Sequence, residues 1–482
     1  MTTTETITTR IPARLDRLPW ARWHWMIVIG LGTVWILDGL EVTVVGNVAT
    51  RLSESGSGLS ITTSQVTGLG AALYVAGACT GALFFGWLTD RFGRKKLFML
   101  TLAVYLLATA LTALSTQAWM FFLFRFATGL GLGGEYAAIK SANDELIPSK
   151  YRGRIDIVIN GSFWLGAACG ALLSIPALDT SLFPKDVGWR LTFGLGVVLG
   201  LGVLLVRRNV PESPRWLFIH GRDDEAEKLV DSIEETVRKE SDQRLPDVGE
   251  EDEMTIRQRR ATGFVTIAKT VFVKYPKRST LGFSLFIGQA FLYNAITFSF
   301  GSILTTYSGV QTGSTGWYFA VVALSNLAGP LLLARYFDTV GRRVMISGTY
   351  ISSGVLLLAT AWLFAGHHLN ATTLTGCWMA VLFAASAGAS SAYLTVSEVF
   401  PMETRAMAIA FFYAVGTAAG GITGPLLFAK LIADGQGQTA FAFVIGAVLM
   451  ILGGLVAAFL AVDAEQQSLE DIATPLSAQE AT

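Results

Sequence analysis

Gly86-Trp87-Leu88-Thr89-Asp90-Arg91-Phe92-Gly93-Arg94-Lys95 reads G-x-x-x-D-R-x-G-R-K and lies between two apolar runs. Ala334 to Arg343 repeats it 248 residues later, with Asp338, Gly341, Arg342 and Arg343 in matching places. A second motif, E-x-x-P-x-x-x-R, occupies Glu145 to Arg152 and recurs at Glu398 to Arg405, an offset of 253 residues. Two motifs recurring at nearly one offset indicate a duplicated unit. Parallel repeats of this kind are one way membrane transporters are built.

The runs around these motifs give the size of the unit. A helix needs about 20 apolar residues to cross a bilayer. Runs of that kind fall at 24–49, 66–88, 97–115, 118–140, 155–177 and 189–207, then at 280–305, 316–337, 344–366, 373–397, 405–431 and 438–462. The expected architecture is therefore an all-α integral membrane protein with 12 transmembrane helices in two pseudo-symmetric six-helix bundles. The expected division is a tail at 1–23, a first bundle at 24–207, a linker at 208–279, a second bundle at 280–462 and a tail at 463–482. Composition agrees: 52% hydrophobic, only 15% charged, 50 glycines and a mean hydropathy of +0.50. Soluble domains carry about 25% charged residues. The polar start of the chain lacks the short apolar core and cleavage site of a signal peptide.

Lys and Arg in short connections set orientation. Arg10, Arg14, Arg17, Arg22, Arg91, Arg94, Lys95, Lys96, Lys150, Arg152, Arg154, Arg335, Arg342, Arg343 and Arg405 fall on one side. Arg51, Lys185, Arg190 and Lys430 fall on the other. Both termini are thus expected in the cytoplasm of a cell-membrane protein. Within the linker, Ala226, Leu229, Val230, Ile233 and Val237 recur at helical spacing. That pattern predicts an amphipathic helix over 224–239, capping the bundle or lying on the membrane.

These motifs resemble those of the major facilitator superfamily, from about Trp25 to Val462. Pro211-Glu212-Ser213-Pro214-Arg215-Trp216-Leu217 is similar to the sugar-porter branch and its relatives. The resemblance implies alternating access between the halves of a major facilitator fold. It also implies a cytoplasmic gate made by Asp90, Arg94, Glu145, Arg152, Glu212 and Arg215 on one half and Asp338, Arg342, Glu398 and Arg405 on the other. Acidic and basic helix ends of this kind can pair across the halves. Their simpler role is to fix topology and helix-end packing.

Charges inside the spans are the next signal. Asp38 and Glu41 are three residues apart and share a helix face. A carboxylate at bilayer depth is costly unless protonated, paired or wet. Arg125 stands at a depth where it could meet Glu41. In sugar porters a span-one carboxylate faces a span-four arginine, and the pair couples protons to substrate. The resemblance therefore implies proton coupling through Asp38, Glu41 and Arg125; the alternative is a structural ion pair. Asp38-Gly-Leu-Glu41 also resembles the D-G-x-D element of organic-acid:proton symporters.

Uncharged polar side chains near mid-membrane mark a cavity: Asn160, Gln289, Asn294, Asn326 and Tyr393. They resemble sugar-porter binding residues, although Gly288, Tyr393, Ala389 and Ser391 depart from that pattern. The expected function is a secondary active, proton-coupled symporter of a small polar solute, a sugar or polyol. An organic acid symporter, an antiporter or a membrane sensor remain alternatives. The only expected partners are the small-molecule solute and the lipid bilayer, with the protein working as a monomer. Zero net charge gives no case for nucleic acid. No metal-ligand set, nucleophile–base arrangement or phosphate loop appears, because Gly129–Gly134 lies inside a hydrophobic span. The expectation is no enzyme activity, no metal and no cofactor, with a proton gradient as energy source. Cys79, Cys169 and Cys377 read as packing residues, and His367 and His368 as loop residues.

Overall fold

The computed structural model describes residues 6–207, 211–241, 245–249, 253–257, 269–400, 405–464 and 472–473. The first six long helices are α2 (Arg22–Ser53), α3 (Ala71–Phe92), α4 (Arg94–Ala113), α5 (Ala118–Leu146), α6 (Ser149–Leu178) and α7 (Lys185–Arg207). A π-helical turn, Gln65–Gly70, leads into α3. Ahead of them lie a strand, β1 (Thr6–Thr9), and a short helix, α1 (Ile11–Asp16). The connecting region holds α8 (Pro214–Ile219), α9 (Asp223–Ser241) and β2 (Met254–Arg257). The second set is α10 (Pro276–Ser308), α11 (Thr315–Thr339), α12 (Arg342–Ala365), α13 (Ala371–Val399), α14 (Arg405–Thr417), α15 (Thr423–Ala433) and α16 (Gln436–Leu460). A π turn, Ala418–Ile422, joins α14 to α15, so the eleventh span is interrupted where the sequence predicts an unbroken run.

Among the described residues, eleven helices are long and apolar enough to cross a membrane. The remaining span is α5, whose 29 residues are long enough. Arg125, Glu135 and the glycines at 129, 131, 133 and 134 dilute its hydropathy. The protein thus has the expected twelve spans in two six-helix bundles, and an even number leaves both termini on one face.

Glycine determines how the helices cross in the first bundle. A Cβ at Gly133 would stand 1.8 Å from the Ala78 carbonyl oxygen, and one at Gly39 would stand 1.8 Å from that of Phe163. Only a residue without Cβ lets α5 meet α3, and α2 meet α6, at these points. Small residues serve in membranes because lipid offers no hydrophobic drive for helix pairing; close packing must supply the attraction.

The segment expected as a plain tail is structured. Strand β1 pairs antiparallel with β2, Thr6 opposite Arg257. Helix α1 packs on α9, and Ala226, Val230, Ile233 and Val237 of α9 are buried. The amphipathic helix of the linker is therefore present, and its apolar face is covered by α1, α8 and the start of α2. Arg14 reaches Glu227 and Asp231 at 2.5 Å and Glu234 at 2.8 Å, and Arg17 reaches Glu234 at 2.6 Å.

Candidate functional site

A central cavity lies between the two bundles, with about 810 Å³ between its walls, mouth included. Asn160, Gln289, Asn294 and Tyr393 all line it. Asn326 does not. It is fully buried behind the wall, donates to the Val322 carbonyl at 3.1 Å and accepts from the Tyr293 hydroxyl at 3.3 Å. Because Tyr293 is a lining residue, Asn326 supports the wall and does not form it. Asn294 donates to the Ala290 carbonyl at 2.9 Å. Asn160 donates to the Asp156 carbonyl at 3.0 Å, while its own carbonyl oxygen has no protein partner. Trp35 Nε1 and Thr417 Oγ1, on two other helices of the wall, are likewise buried without a protein partner. Buried polar atoms are rarely left unpaired. These three offer a ligand one donor, one acceptor and one hydroxyl.

The membrane carboxylates divide between two environments. Asp38 lines the cavity. It accepts from the Tyr74 hydroxyl at 2.6 Å and from the Tyr136 hydroxyl. The glycine crossings explain this convergence. Gly39 seats α2 against α6 next to Asp38, and Gly133 seats α5 against Ala78 of α3. Tyr136 follows Gly133 by three residues and Tyr74 precedes Ala78 by four, so each is one helical turn from the crossing.

Glu41 sits one turn further along α2, outside the cavity lining. Arg125 donates to its Oε1, and the two side chains are 0% and 1% exposed. Tyr105 donates to Oε2 at 3.4 Å. The guanidinium of Arg125 lies 4.6 Å above the Tyr74 ring. The structure thus brings Glu41 and Arg125 together. Asp38 and Glu41 share a face, yet each has its own partners.

The described residues of the expected gate lie at helix ends on the face that holds the termini. Glu212 accepts from the backbone N–H groups of Arg94 at 2.9 Å and Lys95 at 3.2 Å. It therefore caps the start of α4, where the helix dipole favours an anion. Gly93 has φ +91°, and a Cβ there would stand 2.7 Å from Glu212 Oε2. Arg342 holds Asp338 at 2.8 Å and Glu398 at 3.1 Å. Arg152 holds Asp16 of α1 at 3.3 Å. These pairs run inside one half or to its flanking segment. Across the halves, Arg152 and Asp156 act electrostatically on Glu398. The side chains of Asp90, Glu145, Arg215 and Arg405 lie outside the described residues.

Sequence reasoning missed the aromatic lining. Trp35, Tyr74, Tyr136, Phe163, Trp164, Tyr293 and Tyr413 join Tyr393 on the wall. Tyrosine and tryptophan need a partner for their polar atom when buried, and Trp35 stands one turn before Asp38. Those were the available signals.

The family model described as "Sugar (and other) transporter" matches residues 22–476. The chain belongs to this family. It is 28% identical to the niacin transporter NiaP of Acinetobacter baylyi, over 92% of this chain and 96% of that one. It is 26% identical to myo-inositol transporter 2 of Schizosaccharomyces pombe, over 82% of this chain and 71% of that one. Among solved structures, the proton:xylose symporter XylE bound to 6-bromo-6-deoxy-D-glucose aligns with a TM-score of 0.74 at 19% identity, covering 94% of this chain and 98% of that one. The inward-open structure of XylE from E. coli aligns at 0.65 and 18% identity, covering 93% and 98%. The family member described here is a multi-pass membrane transporter with the major facilitator fold, and it is not an enzyme.

Proposed function

We propose that this transporter is a proton-coupled symporter of a small polar solute, working as a monomer in the cell membrane with both termini in the cytoplasm. One observation carries the reading: a carboxylate, Asp38, stands on the cavity wall under two phenols, one helical turn from the buried Glu41–Arg125 pair. A proton arriving at Asp38 removes the charge that both phenols solvate. A proton at Glu41 removes the charge that holds Arg125. Either event changes helix contacts next to the solute. Asn160, Gln289, Asn294 and Tyr393 are the solute contacts, and Asn326 holds Tyr293 in place behind them. The gate residues close the cytoplasmic side and separate when it opens.

A neutral sugar or polyol suits this wall, because amides and hydroxyls both give and accept hydrogen bonds. Among the described lining residues there is also no lysine, arginine or histidine to neutralise an acid. A second reading, an aromatic solute such as an aromatic carboxylate, is favoured by the eight rings of the wall and by the likeness to a niacin transporter.

The test uses purified protein in liposomes with a lumenal pH dye. Sugars, polyols and aromatic acids are added singly outside. A transported solute is expected to acidify the lumen of vesicles in the native orientation. Asp38→Asn is expected to abolish that signal and keep solute counterflow. Proton-driven uptake that persists in Asp38→Asn removes Asp38 from the mechanism.

A further inference from the structure

We infer that Tyr136 is the positioning residue that ties the state of Asp38 to closure of the cavity on the face holding the termini. The inference rests on the proposed role of Asp38, and it begins from where the Tyr136 ring lies. The Tyr136 hydroxyl donates to Asp38, on the same half. Its ring stacks on Trp35, with centroids 4.7 Å apart and planes at 22°. Its other edge meets Tyr413 of the opposite half at 4.7 Å and 70°. A hydrogen bond from Tyr136 to Asp38 and a ring contact from Tyr136 to Tyr413 therefore link one half to the other.

The rings around this link form a floor. Trp35 and Tyr136 come from the first half; Phe286, Tyr393 and Tyr413 come from the second. Trp35 meets Tyr393 at 5.7 Å, and Tyr393 meets Phe286 at 4.8 Å. Each lies on the terminal side of the cavity by its place in its helix. Trp35 is one turn nearer the start of α2 than Asp38. Tyr136 is ten residues from the end of α5, Tyr393 six from the end of α13, and Tyr413 eight from the start of α14.

The charged and titratable groups facing Asp38 bear on how the floor is released. They are Glu41 on its own helix, Tyr74 on α3, Tyr105 on α4, Glu135 and Tyr136 on α5, Tyr393 on α13 and Tyr413 on α14. Of these, Tyr136 alone both bonds Asp38 and touches Tyr413. A phenol bound to a carboxylate is held by a charge-assisted hydrogen bond, about twice as strong as a neutral one. A proton on Asp38 removes the charge and weakens that bond, and a solute hydroxyl that donates to Asp38 in place of Tyr136 breaks it. The Tyr136 ring is then free to swing, and its contact with the other half goes with it. Tyr74 bonds Asp38 equally well but faces Phe298, at 6.4 Å, and takes no part in the floor.

The experiment measures access from the terminal face. Ser390, a lining residue, is changed to cysteine in a chain whose three native cysteines are replaced by alanine. A membrane-impermeant maleimide is applied to that face, without solute or gradient. Tyr136→Phe keeps the ring and deletes the hydroxyl, so a purely structural role would leave labelling unchanged. The expected result is labelling faster by about tenfold or more, the scale of losing a hydrogen bond to a charged group. Asp38→Ala is expected to give the same rise, and Asp38→Ala with Tyr136→Phe no further rise. Labelling of Tyr136→Phe at the parent rate, or full additivity of the two changes, overturns the inference. The assay involves no proton movement. Proton-driven uptake that persists in Asp38→Asn would thus sink the functional reading while leaving the hold of Tyr136 on the floor standing, and the reverse also holds.

Discussion

Replacing Glu41 by glutamine is expected to destabilise the folded transporter by about 3 kcal/mol, toward the low end of the 3–5 kcal/mol for stripping one partner from a buried ion pair. The structure explains both the size and the discount. Arg125 is fully buried, and Glu41 is the acid it holds. Its Nε and Nη2 have no protein hydrogen-bond partner, so no other acceptor takes up the loss. The rings of Tyr74 and Phe193, at 4.6 Å and 6.0 Å, contribute cation–π attraction of about 0.5–2 kcal/mol that the change does not touch. Glutamine can still accept from Nη1, which recovers part of the cost. Arg125→Met is expected to cost less. Glu41, left alone, can take a proton and become neutral, whereas a guanidinium cannot lose one. The double change leaves no charge at this pair and should recover most of the loss, because replacing both partners of a buried pair is often near neutral. Thermal melting of detergent-solubilised protein, followed by loss of the monodisperse peak, reads all four chains. The expected order from most to least stable is parent, double change, Arg125→Met, Glu41→Gln. About 3 kcal/mol corresponds to a fall of several degrees in Tm. A parent-like Tm for Glu41→Gln, or a larger fall for Arg125→Met, would refute the reasoning.

Two further predictions concern packing and the terminal face. Gly133→Leu puts a side chain 1.8 Å from the Ala78 carbonyl, while Gly202 has nothing within 4 Å of an added Cβ. Folded yield should collapse for Gly133→Leu and hold for Gly202→Leu, and similar yields for both would contradict the crossing. At the terminal segment, partial burial pushes the Glu234 carboxyl up, but hydrogen bonds from Arg14 and Arg17 outweigh it and hold the group below its ordinary value of 4.5. A depressed acid stabilises above its unfolded value and loses that contribution as pH falls through the folded one. Hydrogen exchange over 6–16 should therefore quicken below about pH 4.5, by an amount near that of exposed ion pairs, about 1 kcal/mol or less. Arg14→Ala should exchange faster at pH 7 and respond less to acid. Unchanged exchange in that variant argues against the clasp.

Some of this was legible from residues alone because bilayers impose local rules. A span must be about 20 apolar residues long whatever it packs against, so twelve spans follow from the sequence. The duplication follows from Gly86–Lys95 and Ala334–Arg343 without any structure. Asp38, Glu41 and Arg125 stand out because charge at that depth is costly wherever the helices lie. The four amides and Tyr393 were visible for the same reason, and four of these five residues reach the cavity.

What the sequence did not carry is direction and neighbour. Asn326 has the composition of a wall residue, but the rotation of α11 turns it behind Tyr293. Asp38 and Glu41 look like one site by spacing; Gly39 and Gly133 bring Tyr74 and Tyr136 onto the first, while Arg125 takes the second. Among the described charges at the helix ends, Glu212 caps α4 and Arg342 closes on Asp338 and Glu398, partners that no spacing in the sequence names. The aromatic floor joins residues 35, 136, 286, 393 and 413, which no local pattern relates. Hydrophobic length and the cost of buried charge act on each helix separately, so sequence reports them. Which side chains meet depends on how close two backbones approach and how each helix is rotated, and only the assembled bundles decide that.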